Sequence, residues 1–470
     1  MTVTALLLQV SLYGAASNDS APTGLSLLPL ETRFVVNANR PWGFNDGALW
    51  AGRGLSGALA GGGRWRSGGL TVTVAPVIWF STNGAFDTVA HGFTSVHPLA
   101  YPWRENRIDL PQRLGDRGLA RFAPGQSGVR FDWRRLTVGL STENLWWGPA
   151  RRHPILLGNS AEGFPHLDLG LRPAPTLAGA IEGRVVWGRL TESDWFDTIP
   201  ANDRRLFAGL LGSWSPKWIP GLTLGFQRVF YQTWTDSLTS SDFFSIIQPF
   251  TKQAFFDSTN PEGNDARDQM ITLTWQWDLD GLVAYGEWGR NDHNVDWRDF
   301  IVQPDHAQAW MVGVERTWPA GSGEARIVGE VLHLSRSATV AFRATPTYYT
   351  HHLVRQGYTH KGQPLGAGVG PGSDAQYMAF DRTFSSGAWG LWAERIRWFA
   401  DDGFRLHDRS TIGFRSALIT TVELGGRYQR RLGALDLSSS LGVIREFNRN
   451  YEIGNNVWNV SWRMGAKWSW

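Results

Sequence analysis

The run from Trp458 to the terminal Trp470 alternates without a break. Trp458, Val460, Trp462, Met464, Ala466, Trp468 and Trp470 are apolar, and Asn459, Ser461, Arg463, Gly465, Lys467 and Ser469 between them are polar or small. A period of two belongs to a strand, because successive side chains leave a pleated backbone on opposite faces. One face is then a continuous apolar and aromatic stripe and the other is polar. A strand with hydrocarbon on one side and water on the other needs that pattern, more than the edge strand of a soluble sandwich does.

The pattern recurs along the chain. Val422, Leu424, Gly426 and Tyr428 alternate with Glu423, Gly425, Arg427 and Gln429, and Ile271, Leu273, Trp275 and Trp277 with Thr272, Thr274, Gln276 and Asp278. Further candidate strands are 50–60, 70–80, 130–142, 177–191, 204–214, 222–234, 282–290, 307–317, 324–335, 376–384, 388–399, 409–418 and 435–446, with 34–39 and 339–348 as two more. Asp280-Gly281, Pro220-Gly221 and Leu432-Gly433 supply tight turns between antiparallel neighbours. The expected fold is all-β: a transmembrane antiparallel β-barrel of about 16 to 18 strands. Four segments break the rhythm, 83–129, 144–176, 235–267 and 337–375, each far beyond the roughly 4–6 residues of a median connection. Rich in Pro, Gly, His, Arg and aromatic residues, they are expected to be ordered and to occlude the lumen.

Composition agrees. Charged residues make up 19% of the chain, below the roughly 25% of an ordinary soluble domain. No stretch reaches the roughly 18 apolar residues of a membrane-spanning helix. The mean hydropathy of −0.25 is what a barrel gives when half of each strand faces inward. The absence of cysteine removes disulfides and thiol chemistry. Lysine and arginine exceed aspartate and glutamate by 45 to 42 and are scattered, so no nucleic-acid face is indicated. The apolar run TALLLQVSLY before Gly14, Ala15 and Ala16 predicts a signal peptide over 1–16, although its start carries no Lys or Arg. A short periplasmic segment is expected over 17–36 and the barrel over 37–470, in the bacterial outer membrane.

Three stretches carry a resemblance. ENLWWGPARRHPILLGNSAEGFP (143–165), HHLVRQGYTHKGQPLGAGVGPGSD (351–374) and, more weakly, NANRPWGFNDGALWAGRGLSG (37–57) resemble the Wzi family of capsule assembly proteins, outer-membrane barrels that attach capsular polysaccharide to the cell surface. The final aromatic residue likewise resembles the signal by which outer-membrane barrels are recognised for assembly. The resemblance implies a lectin without catalysis, with capsular or extracellular polysaccharide, outer-membrane lipid and the barrel-assembly machinery as partners. It departs at the front, where better-known members carry a helical bundle and 17–36 shows no amphipathic helical period.

Sugars are held by flat aromatic faces and by planar polar groups. Trp146, Trp147, Phe164, Tyr348, Tyr349 and Tyr358 are the candidates for the first, and Arg151, Arg152, Asn159, Arg355 and Lys361 for the second, with arginine forks matching the carboxylates of acidic sugars. Equally, the tryptophans can belong to an interfacial girdle and the arginines can pair with loop carboxylates. The alternative function is a porin or transporter whose conducting lumen is lined by Glu182, Arg184, Glu287, Glu423, Arg427, Arg463 and Lys467.

Other motifs fall away. Gly52-x-Gly54-x-x-Gly57 has no helix after it, so it is not a dinucleotide loop. His351, His352 and His360 lack a recognisable metal-ligand spacing. The run from Asn291 to Asp296 lacks the glycine and distal glutamate of a calcium loop. No motif pairs a serine with a histidine for catalysis. No enzyme activity and no cofactor are expected.

Overall fold

Alternation becomes wall. The computed structural model describes residues 23–234, 240–247, 267–291, 297–341, 343–406 and 417–470, and in them eighteen antiparallel strands close into a barrel. We number them β1 (Gly24–Asn37), β2 (Gly54–Ser67), β3 (Leu70–Val74 and Val77–Ser81), β4 (Leu119–Ala123 and Gly128–Trp133), β5 (Leu136–Ser141) and β6 (His166–Thr176). There follow β7 (Gly179–Thr191), β8 (Arg204–Pro216), β9 (Leu222–Thr233), β10 (Arg267–Asp278), β11 (Leu282–Asn291) and β12 (Gln308–Ala320). The last six are β13 (Gly323–His333), β14 (Asp374–Phe384), β15 (Gly387–Arg397), β16 (Thr420–Leu432), β17 (Leu435–Phe447) and β18 (Val457–Trp468). Each pairs with the next, and β18 returns to β1 with Trp468 opposite Leu30 and Ser461 opposite Asn37. Closure leaves no unpaired sheet edge in lipid.

Trp458, Val460, Trp462 and Trp468 are all exposed on the outer face, as hydrocarbon contact requires. β3 and β4 are interrupted side by side at Ala75-Pro76 and Pro124-Gly125. Proline cannot donate to a ladder, and Ser127 Oγ accepts the Ala75 N–H at 2.8 Å in its place. Asp280 and Gly281 both have positive φ, 55° and 84°, the geometry of a two-residue hairpin turn that matches strand twist.

Short turns and the β1 and β18 ends lie at one end of the barrel, and the long connections all lie at the other. Outer-membrane barrels keep short turns in the periplasm, so the long loops face outward. Loops 142–165 and 334–373 fold back into the lumen. Their Leu145, Trp147, Ile155, Leu156, Phe164, Tyr348, Tyr349, Tyr358 and Leu365 pack with inward wall residues such as Phe207, Tyr231, Met270 and Met311 in one buried core.

Several boundaries differ from expectation. β1 begins at Gly24, so residues 24–36 belong to the wall and not to a periplasmic segment. The 130–142 candidate is a hairpin of β4 and β5, folded at Arg134, whose φ is 54°. His166–Thr176, read as the end of the 144–176 connection, is β6; a register shift between Leu171 and Ala174 takes up Pro173, and Pro175 stands opposite Ala180. Among the described residues of 339–348 there is no strand: a 3-10 turn spans Ala338–Ala341 and Tyr348 lies in the lumenal core. The proposed signal peptide, most of 235–267, positions 292–296 and most of the 409–418 candidate lie outside the described residues.

Candidate functional site

Two layers fill the barrel's outward half: a plug, and above it a pocket. The plug's segment Pro149–Ile155 is held by glutamates projecting inward from the wall. Glu330 on β13 accepts the backbone N–H groups of Arg151 at 2.7 Å, Arg152 at 3.2 Å and His153 at 2.8 Å. Glu287 on β11 accepts those of Ala150 at 3.4 Å and Ile155 at 2.8 Å. The side chains complete the clamp. Arg152 pairs with Glu394 on β15 at 2.6 Å, His153 Nε2 meets the same carboxylate at 2.6 Å, and Arg151 pairs with Glu315 on β12 at 2.8 Å. A loop that would bury unsatisfied N–H groups thus has its donors met by carboxyl oxygens of the wall.

Wall glycines make room for the plug's rings. A Cβ on Gly209 would lie 2.7 Å from the Trp147 ring, one on Gly188 2.5 Å from Phe164, and one on Gly289 2.7 Å from the Tyr348 hydroxyl.

These contacts locate the sequence-predicted residues. Trp146, Trp147, Phe164, Tyr348, Tyr349 and Tyr358 are buried, and Tyr349 stacks on Tyr358 with ring centroids 5.7 Å apart. Their faces meet protein. Arg151 and Arg152 are engaged by wall carboxylates. Asn159 donates to Asn45 O at 3.0 Å, and Lys361 pairs with Glu162 at 2.8 Å. Arg355 alone is exposed at the mouth.

The lumen candidates divide. Arg184, Glu287 and Glu423 are buried, and Glu182 accepts from Ser213 at 2.9 Å. Arg427, Arg463 and Lys467 pair with Asp381, Asp46 and Glu31 and border a cavity of about 390 Å³ at the short-turn end. These three line a vestibule at that end.

The pocket above the plug, about 250 Å³, joins several outward loops and was not read from the sequence. Its aromatic wall is Trp42, Phe44, Trp50, Trp103, Trp398 and Phe399. Trp42 and Trp398 meet edge-on at 6.0 Å, Phe44 stacks on Trp398 at 6.1 Å, and Trp103 packs on Tyr451 at 4.7 Å. Phe44, Trp50, Trp103 and Trp398 remain partly exposed. Planar polar groups border the rings: Gln112, Gln363, the Arg40–Glu446 ion pair and Arg449. The Arg449 Nη2 donates to Asp87 O at 2.6 Å, but its buried Nε has no acceptor among the described residues. Burial, with Arg449 beside it, pushes Arg40 down to about 9. An incoming acceptor would relieve both. Beneath the rim, burial and then Asp402 hold the Tyr101 phenol well above its ordinary value, so it stays a donor to Asp402 at 2.5 Å. The arrangement suits a ligand with apolar patches and many hydroxyls.

Glu143, His166 and Asp168 converge closely enough for a metal. Two arginines already hold that cluster: Arg130 pairs with Asp168 and Glu143, each at 3.0 Å, and Arg184 with Asp168 at 3.0 Å and Glu143 at 2.7 Å. The charge a cation would neutralise is already balanced.

Comparison with known proteins follows from this geometry. The family model described as capsule assembly protein Wzi matches residues 100–388. A search of curated proteins finds no match. Among solved structures, the chain is similar to Wzi of Escherichia coli, described as an outer membrane protein involved in group 1 capsule assembly and a carbohydrate-binding β-barrel. The TM-score is 0.58 at 13% identity, over 93% of this chain and 83% of that one. Pseudomonas aeruginosa OccD3 scores 0.45 at 9% identity, over 95% and 91% of the two chains. OccK2 of the same organism, in complex with glucuronate, scores 0.43 at 11%, over 95% of each.

Proposed function

Since the chain belongs to the Wzi family of capsule assembly proteins and lies in the outer membrane, we propose that its outward pocket holds a sugar of a surface polysaccharide, and that the barrel anchors the polymer without passing it. The observation that carries this reading is the pocket itself: part-exposed tryptophan faces beside planar polar groups, above a filled lumen. A pyranose has an apolar face that packs on an indole and equatorial hydroxyls that take the fork of an arginine or the amide of a glutamine. The pocket is smaller than the roughly 300–1,000 Å³ of drug-sized sites. It therefore takes one residue of a chain while the rest lies over the loops, and avidity comes from repeated contacts along the polymer.

The test is to replace Trp50 and Trp103 by Ala in cells that make the polysaccharide. The expected outcome is surface polymer shed into the medium and loss of oligosaccharide-induced quenching of tryptophan fluorescence, with barrel abundance unchanged. Unchanged retention with both rings gone would remove the pocket from consideration.

A further inference from the structure

Among the charges on the outer face of the wall, Arg395 and Arg445 stand close together with no ion pair among the described residues. Reading directly across the ladder from β14 to β18, Gln376, Arg395, Val422, Arg445 and Trp458 stand opposite one another in turn, so all five share one face. That face is the lipid side: Glu394, Ile396, Ile444 and Glu446, the chain neighbours of the two arginines, are buried inward. Arg395 donates to the Gln376 amide oxygen at 2.7 Å, and Arg445 lies over the Trp458 ring at 4.8 Å. Neither forms an ion pair among the described residues. One step nearer the loops the contrast is plain, where Arg397 is bonded to Asp374.

Their level is defined by what lies around them. Both stand two residues short of their strands' outward ends, Arg397 and Phe447, beside the aromatic rings of Trp458 and Phe447. The next row toward the periplasm, about 7 Å lower along the strands, is wholly apolar: Val314, Gly329, Met378, Ala393, Leu424 and Val443. The arginines therefore sit where acyl chains give way to head groups in the outer leaflet.

Directly beneath Arg395 the apolar row opens into a shallow groove. Gly329, Ala284 and Ala393 form its floor, and Trp275, Trp310 and Met378 its sides. A Cβ on Gly329 would meet nothing within 4 Å. An apolar furrow ending at two uncompensated guanidinium groups matches one kind of molecule, with hydrocarbon chains and an anion at their head.

We propose that Arg395, Arg445 and the furrow below them form a specific site for a phosphate-bearing glycolipid of the outer leaflet, with one acyl chain over Gly329 and Ala393 and phosphate oxygens on the two guanidinium forks. Arg395 and Arg445 are two strands apart, about 10 Å between backbones, a gap that side chains of this length bridge from either side of one head group. Arginine presents paired N–H donors in the geometry that phosphate accepts. The site depends on the wall alone and is independent of the polysaccharide pocket.

The experiment uses the full chain in detergent, stripped of lipid. Native mass spectrometry and titration follow with lipid A, with dephosphorylated lipid A and with inorganic phosphate. The native barrel is expected to retain lipid A, and the Arg395→Gln/Arg445→Gln double variant to bind it at least about tenfold more weakly. Dephosphorylated lipid A should bind the native barrel as poorly as lipid A binds the double variant, and inorganic phosphate alone should not bind measurably. Gly329→Leu, which fills the furrow and keeps both charges, should also weaken lipid A. Heat-modifiable migration on gels reports that each variant is folded. Equal binding of lipid A and its dephosphorylated form to the native barrel overturns the proposal without recourse to any variant, as does undiminished binding by the folded double variant.

Discussion

Gly209 is a wall residue whose missing side chain is what Trp147 rests on. A Cβ there would fall 2.7 Å from the ring, and Trp147 is 1% exposed, so it has nowhere to retreat. Gly209→Val should therefore destabilise the barrel by about 1–3 kcal/mol, the usual range for an overpacked core, seen as a lower unfolding midpoint in gel-shift melts. Gly329→Ala, on the lipid face with open space around it, should stay within about 0.5 kcal/mol of the native protein. Burial of this kind is not visible in the sequence of the plug's aromatic residues. A tryptophan in an unpatterned loop looks alike in sequence whether its face meets sugar or another ring, because the difference lies in the glycine opposite, on a strand far away in the chain.

At the scale of elements, strands that repeat one rule over eight or more residues were legible, and elements governed by a local exception were not. β18, β16 and β10 alternate openly because lipid selects every second residue. β6 was hidden by Pro173, which the sheet tolerates at a bulge, and by Pro175 near its short-turn end, and β4 by Pro124 at its break. The outward pocket was illegible for another reason: each loop contributes only one or a few of its rings, and nothing in the chain marks them as partners. Contacts between loops also carry pH dependence. Glu192, just past β7, accepts from Gln356 of the 334–373 loop at 2.7 Å, and burial pushes its carboxyl up to about 8, with Asp109, Asp197 and Asp203 adding to the rise. The folded state then holds this proton more tightly than the unfolded chain, so the stability it contributes is greatest in acid and is lost as pH rises from about 4.5 to about 8. Melting midpoints should fall across that window, and Glu192→Gln should flatten the fall. A midpoint that climbs with pH in the native protein but not in the variant would contradict this assignment.

For the whole molecule the plug ties distant strands together. Arg151, Glu315, Arg326, Asp381 and Arg427 form a chain of ion pairs from the plug across β12, β13 and β14 to β16, with contacts of 2.8, 2.8, 3.4 and 2.6 Å. Glu287, Glu330 and Glu394 hold the plug's backbone and side chains above it. Purified protein in a planar bilayer should show no large stable conductance. Glu330→Ala, which strips the acceptor from three backbone N–H groups, should introduce flickering openings; a steady porin-sized current through the native barrel would mean that these ties do not close it.

Those ties also set how the barrel answers a pull. An outward load on the 38–53 loop would pass through Arg40 and Trp42 to Glu446 and Glu423 on the wall, and a load on the plug through Arg151 into the ion pairs that join β12, β13, β14 and β16. Tension entering at the mouth would so be divided among several strands before it reached any one hairpin.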